Sequence, residues 1–304
     1  MLRTLTESRS RESETTPFTK MAGGGNDFVM IDNRSGLVQG AEELARRVCT
    51  RRLSIGADGL ILVEPSARAT FRMRYFNSDG SAAVFCANGT RCAARFAFMN
   101  VIAPRKMTIE TGAGVIGAEI AEQDVILSLP TPAQFEPRKA LTLPSGIEIR
   151  GSAIRVGVPH YVLYVENDLW SHDIEPLGRS IRTHPDLQPE GANVNFVVVR
   201  DEHSIALRTY ERGVEGETLS CGSGIVASVS VSALFNRVSS PVRVLTRSGI
   251  TVEVRFERGE NGELREVRLQ GDARVIYKGE IAAETTGGFD PDWVRRPTDV
   301  APST

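Results

Sequence analysis

Cysteine is scarce in this chain: Cys49, Cys86, Cys92 and Cys221 are the whole supply among 304 residues. So few thiols do not make the disulfide framework of a small secreted protein, and a reducing cytoplasm is the expected compartment. Histidine is equally sparse. His160, His172, His184 and His203 are scattered, with no C-x-x-C or H-x-x-x-H cluster, so no metal site is expected. The four lysines, Lys20, Lys106, Lys139 and Lys278, lack the glycine-rich or apolar setting of a Schiff-base lysine, which argues against a pyridoxal enzyme. No Gly-x-Ser-x-Gly elbow occurs. Neither sign of charge is in excess. A net charge of −2 leaves no electrostatic footprint for nucleic acid or an anionic membrane. No run of 18 apolar residues occurs, so no membrane-spanning helix is expected.

What is present is ordinary for a soluble globular protein: 41% hydrophobic and 24% charged residues. The length is a soft prior for two domains. Residues 1–16 mix Ser, Thr, Arg and Glu without the apolar core of a secretory signal, and read as a disordered extension. Residues 283–304 read as a tail.

One stretch organises the rest. Cys86-Ala87-Asn88-Gly89 is echoed by Cys221-Gly222-Ser223-Gly224, 135 positions later. Each is a cysteine, then small residues, then an apolar run of helical character. The echo extends outward. Gly56-Ala57-Asp58 matches Gly191-Ala192-Asn193 at the same offset of 135, as Gly114 matches Gly249. Arg74 to Asn77 matches Arg208 to Glu211 at 134, and Asp27-Phe28-Val29 matches His160-Tyr161-Val162 at 133. Matches in constant order at nearly constant offset mean one domain duplicated; the period is too long for a solenoid. The expected halves are residues 17–131 and 132–267, with a returning strand near 268–281. The proline-bearing segment 131–143 is the expected linker.

The helices predicted after the two cysteines carry little polar surface. The run from Ile225 to Phe235 is apolar nearly all round, so it must be wrapped on most sides. In a chain rich in short strands the wrapper must be sheet. The fold class is therefore α/β in the broad α+β sense. It has two pseudo-symmetric domains, each a curved, mostly antiparallel sheet around a central helix, with the site in the cleft between them. Gly23-Gly24-Gly25 fails the nucleotide-loop spacings and reads as a tight turn that presents Asn26 to a ligand. Between Ala41 and Arg52, Cys49 falls on the apolar helical face and reads as core, as does Cys92.

A thiol at a helix start lies in the positive end of the macrodipole, which lowers its pKa toward neutrality. The first-turn N–H groups, left open by small residues, can hold a carboxylate. Two such starts facing one another would place the carbon beside that carboxylate between two sulfurs. One thiolate removes its proton while the other thiol returns one to the opposite face.

These residues resemble the diaminopimelate epimerase family. The likeness runs from about Phe18 to Tyr277. It rests on Gly25-Asn26-Asp27-Phe28, Asn77-Ser78-Asp79-Gly80-Ser81, the segments Cys86 to Cys92 and Pro189 to Val194, and the segment Glu211 to Gly224. It implies a cofactor-independent epimerase of LL- and meso-diaminopimelate, in lysine and peptidoglycan precursor biosynthesis. Its substrate is a small amino acid, and a homodimer is left open. By the resemblance Cys86 and Cys221 are the acid/base thiols, and His160 and Glu211 stand beside them, Glu211 also contacting substrate. Backbone N–H groups of Ala87, Asn88, Gly222 and Ser223 hold the reacting carboxylate. Asn26, Asn77, Asn193 and Arg212 hold the amino and distal groups, Arg212 as a planar fork for a carboxylate.

Three positions depart from the family pattern. Ala87 replaces the glycine of Cys-Gly-Asn-Gly, and its methyl is expected to restrict approach. Val158 replaces the asparagine of Gly-Asn-Pro-His and cannot make an amide's contact to the distal end. Gly59 stands where some members have glutamine and others glycine. The alternatives are a racemase or epimerase of another amino acid on this fold, a dithiol redox protein using the same two cysteines, and a catalytically dead binding homologue.

Overall fold

The structure, a computed structural model, describes residues 15–166 and 168–292. The first half runs β1 (Thr16–Gly23), β2 (Asn26–Asp32), α1 (Ala41–Val48), β3 (Gly59–Glu64), β4 (Phe71–Asn77), β5 (Ala82–Ala83), α2 (Ala87–Met99), β6 (Lys106–Thr111), β7 (Gly114–Ala121) and β8 (Asp124–Ser128). The second runs β9 (Ala133–Thr142), β10 (Glu148–Val156), β11 (Val158–Tyr164), α3 (Glu175–Arg182), β12 (Asn193–Asp201), β13 (Ser204–Glu211), β14 (Gly216–Thr218), α4 (Gly222–Leu234), β15 (Val242–Leu245), β16 (Thr251–Arg258) and β17 (Leu264–Asp272). The strand β18 (Arg274–Ile281) and the short helix α5 (Ala283–Thr286) follow.

The two halves repeat each other strand for strand. A hairpin opens each, β1–β2 and β10–β11. A helix then crosses to a parallel neighbour, giving β2 beside β3 and β11 beside β12. Phe28 lies opposite Gly59, and Tyr161 opposite Val194, so both the 133 and the 135 offsets persist in the ladders. The short strands repeat as well: Tyr75 faces Ala83, and Thr209 faces Thr218. The chain then makes its buried helix and returns as a second parallel neighbour, β6 beside β4 and β15 beside β13.

Each half wraps its helix. Helix α2 packs on β1 to β4 and β6 to β8, and α4 packs on β10 to β13 with β16 and β17. Helix α4 has only a weak intrinsic claim to be helical, since Ile225, Val226, Val229 and Val231 lose rotamer freedom there. Burial decides the matter: all four are at most 1% exposed, and each large apolar side chain so buried contributes about 1.5–3 kcal/mol. Its serines are reconciled with the core by bonding back one turn. Ser228 Oγ donates to Gly224 O at 2.7 Å and Ser232 Oγ to Ser228 O at 2.8 Å. A single core runs around both buried helices, while α1 and α3 cover the outer faces with separate clusters. Cys49 belongs to the cluster under α1, and Cys92 to the central core.

The halves are joined by β8 pairing with β17, from Ser128 opposite Arg268 to Asp124 opposite Asp272. Strand β18 then crosses back to lie against β1. The stretch from Leu264 to Asp272, including residues 268–272 of the expected returning strand, bonds to both halves, and the return itself starts at Arg274.

Three sequence expectations are corrected. Residues 131–143, read as a linker, contain β9. Among the described residues its ladder partner is β10 alone, so it is an edge strand, where Pro137 costs no ladder bond. Gln134 and Arg138, at positive φ, mark its irregular register. Of the N-terminal extension, residues 1–14 lie outside the described residues, and Thr16 already pairs with Ile281. The tail begins by docking on α1. Ser54 Oγ donates to Thr285 O at 2.8 Å, and Arg47 Nη1 donates to Thr286 O at 2.8 Å and Phe289 O at 3.3 Å. Residues 293–304 lie outside the described residues.

Candidate active site

Helices α2 and α4 begin at the floor of one cleft of about 620 Å³ between the halves. The residue before each helix is a cysteine in extended conformation, Cys86 at φ −147° and ψ 111°, Cys221 at φ −110° and ψ 110°. Both thiols are therefore N-caps, placed where the chain turns from strand into helix. The short strands β5 and β14, folded back on β4 and β13, set that turn. Cys86 Sγ accepts the Gly89 N–H at 3.4 Å, and Cys221 Sγ lies 3.5 Å from Ser223 Oγ. The two helices meet nose to nose: a methyl placed on Gly222 would lie 2.5 Å from that of Ala87. The Ala87 methyl is thus spent on the contact with Gly222, and alanine suits the helical backbone it adopts there.

All but two of the residues singled out from sequence line this cleft: Asn26, Asn77, Cys86, Ala87, Asn88, Glu211, Arg212, Cys221, Gly222 and Ser223. Asn193 lies beneath it, 4% exposed, its Oδ1 accepting the Arg212 backbone N–H at 2.8 Å. It positions Arg212 from below. His160 is 1% exposed and also off the lining. Its Nδ1 meets Asn195 Nδ2 at 3.1 Å, and Nε2 has no partner among the described residues. Asn195 Oδ1 in turn packs against the start of α4, where a methyl on Gly224 would lie 2.4 Å away. His160 reaches the second cysteine's helix through Asn195 rather than standing in the cleft. Val158, whose departure from the family pattern concerned the distal end, is likewise not on the lining.

A polar network fixes the first helix start. Asn88 Nδ2 donates to Asn26 Oδ1 at 2.8 Å and to Ser220 O, in the other half, at 3.2 Å. Arg91, with no exposed surface, donates through Nη2 to Asn88 Oδ1 at 2.9 Å and through Nε to Asp272 O at 3.0 Å. Asn26 Nδ2 donates to Asp58 Oδ2 at 2.9 Å. With its side chain committed in this way, Asn88 offers only its backbone N–H to a ligand. Asn26 is similarly engaged on both ends of its amide. Buried charge-assisted bonds of this kind hold a site rigid at a high cost if one partner is lost.

The electrostatics reverse one sequence expectation. Burial pushes the Cys86 thiol up to about 11, against the Gly89 N–H and Arg91, which favour the thiolate. Burial raises Cys221 further, and the Glu211 carboxylate adds to the rise. The helix ends do favour the anions, but desolvation by burial is the larger effect. Glu211 is itself raised by burial, opposed by bonds from Thr218 Oγ1, at 2.8 Å, and Cys221. Burial, then the charge of Arg212, depress His160 to about 3, so it is neutral in the fold.

Sequence reasoning missed Asp58, Tyr75 and Phe85 on the lining. Asp58 was within reach. It is the first-half counterpart of Asn193 in the repeated Gly-Ala-Asp/Asn, and symmetry alone should have nominated it. Tyr75 sits inside β4, and Phe85 in the approach to Cys86; neither carried a local signal.

Two half-barrels, each burying a helix capped by a cysteine at a shared cleft, make a fold found in solved proteins of several activities. A hydroxyproline epimerase from Agrobacterium vitis aligns over 90% of this chain and 94% of its own, with a TM-score of 0.67 at 15% identity. The chain belongs to the diaminopimelate epimerase family, whose profile matches residues 18–135 and 152–274. A diaminopimelate epimerase of Aquifex aeolicus is 43% identical over 280 residues, covering 88% of this chain and 98% of the relative. That of Chlorobaculum tepidum is 41% identical over 268 residues, covering 86% and 99%. The protein is an isomerase acting on a small molecule. Among the described residues no helix is long and apolar enough to cross a membrane.

Proposed function

We propose that the protein interconverts LL- and meso-diaminopimelate by proton transfer between Cys86 and Cys221, on the route to lysine and peptidoglycan precursors. The observation that carries this reading is that both cysteines cap helices whose first residues touch at the floor of one cleft. A carboxylate seated on the first N–H groups of both helices brings its α-carbon between the sulfurs. One sulfur, as thiolate, takes the α-proton; the bond electrons move toward the carboxylate, where those N–H groups hold them. The other thiol gives its proton to the opposite face and becomes the thiolate, so the roles are exchanged after each turnover. Burial holds both thiols neutral, and substrate changes that balance. Its ammonium brings a positive charge near the Glu211 carboxylate, offsetting the field that opposes ionisation. Glu211, which accepts the Cys221 S–H bond, is the group at hand for that thiol's proton. Val158 itself does not line the cleft.

The test is α-proton exchange by purified protein in D2O. Product formed early should carry deuterium, while unreacted substrate stays protiated, because the abstracted proton remains on the other sulfur. Cys86→Ala and Cys221→Ala should each lose roughly 10²–10⁴ in rate, with the double variant little worse. Cys49→Ala and Cys92→Ala should stay within a few-fold. Early deuterium in recovered substrate equal to that in product would instead mean a single base. Exchange of another amino acid, and none of diaminopimelate, would redirect the substrate assignment.

A further inference from the structure

Position 59 and position 75 occupy the same space. Gly59 opens β3, and a methyl built on it would lie 2.4 Å from Tyr75 Cε2 and 2.5 Å from Phe76 O. No side chain fits there while the Tyr75 ring stays where it is. The ring is held edge-on to Phe28, with centroids 5.8 Å apart at 81°. Glycine at 59 thus leaves room for both the Phe76 carbonyl and the Tyr75 ring. That ring projects a polar group toward the cleft: Tyr75 is on the lining, beside Cys86, Asp58 and Asn77. Its hydroxyl has no hydrogen-bond partner among the described residues, and it is not one of the oxygens sealed in the interior. A half-buried phenol opening into a cleft without a partner is a donor waiting for an acceptor.

We propose that the Tyr75 hydroxyl donates a hydrogen bond to the substrate carboxylate beside Cys86. Burial first, then the neighbouring Cys86 and Asp58, push the phenol up, so it is protonated at any working pH and acts as a donor. A substrate carboxylate seated on the helix starts beside Cys86 would bring an acceptor to that hydroxyl. The hydroxyl supplies a side-chain donor where the helix starts supply backbone N–H groups. The inference rests on the epimerase reading above.

Tyr75→Phe keeps the ring against Phe28 and removes only the oxygen. If the bond strengthens as charge moves onto the carboxylate, kcat and kcat/KM for epimerisation should fall together by about three- to tenfold. The same variant should keep the wild-type melting temperature. Tyr75→Leu, which removes ring and hydroxyl, should lose at least as much activity. Wild-type rates in Tyr75→Phe with a loss confined to Tyr75→Leu would show a packing role and overturn the proposal. A rise in KM at unchanged kcat would overturn the placement at the reacting carboxylate. Failure of the wild-type protein itself to exchange the α-proton of diaminopimelate would count against the underlying reading, not against Tyr75 alone.

Discussion

Gly222→Ala should separate the two catalytic helices. The added methyl would sit 2.5 Å from that of Ala87, with Leu269 Cδ2 at 3.6 Å on the next side. Two methyl carbons settle at about 3.5–4.0 Å, so the helix starts must part by roughly 1–1.5 Å. Overpacking of this kind costs about 1–3 kcal/mol. The larger effect should be on rate, because both sulfurs and both sets of N–H groups ride on the parted helices. A displacement of about 1 Å in such an assembly can cost on the order of 10²-fold. The clash is between two named methyls, so it can be reversed. Ala87→Gly/Gly222→Ala moves the methyl from one helix to the other and should recover most of the lost kcat. Epimerisation rates and melting temperatures of the two single variants and the double give a coupling energy directly. A Gly222→Ala protein within twofold of wild type would refute the reasoning. So would a double variant no faster than Gly222→Ala alone.

Mild oxidation should inactivate the enzyme reversibly by joining Cys86 to Cys221; peptide mapping that finds Cys49 or Cys92 in the bridge would disprove the facing arrangement. Acid should destabilise the fold through His160. Its pKa is depressed from 6.5 to about 3, so the stability it contributes as a neutral ring is complete above about pH 6.5. That stability is lost as pH falls toward 3, at up to about 1.4 kcal/mol per pH unit. His160→Gln should lose stability less steeply than wild type over that range in urea titrations, and parallel curves would show that the ring is not held neutral.

The duplication, the cysteine-capped helices and the class of chemistry were legible in the sequence because each rests on local or repeated signals. A cysteine before small residues and an apolar run specifies a helix start wherever the chain puts it. The offsets of 133 to 135 survive because strands of the two copies keep the same ladder partners. The all-apolar run after Cys221 could only be a wrapped helix, and strands were the only material to wrap it. Tertiary structure decided the rest. The linker became β9 because an edge of β10 was free to pair with it, a fact about a neighbour that no local pattern in residues 131–143 records. The tail docked because Arg46, Arg47 and Ser54 of the α1 region present donors to its carbonyls and to Asp292, over more than 200 positions of chain. Asn193 and His160 fell below the cleft and Tyr75 and Asp58 rose into it, because side-chain direction at a strand end depends on which sheet face closes over the core. The thiol pKa values moved most of all. Helix polarity is written in the order of residues, but desolvation is a property of everything packed around the sulfur, and that exists only once the two halves have met.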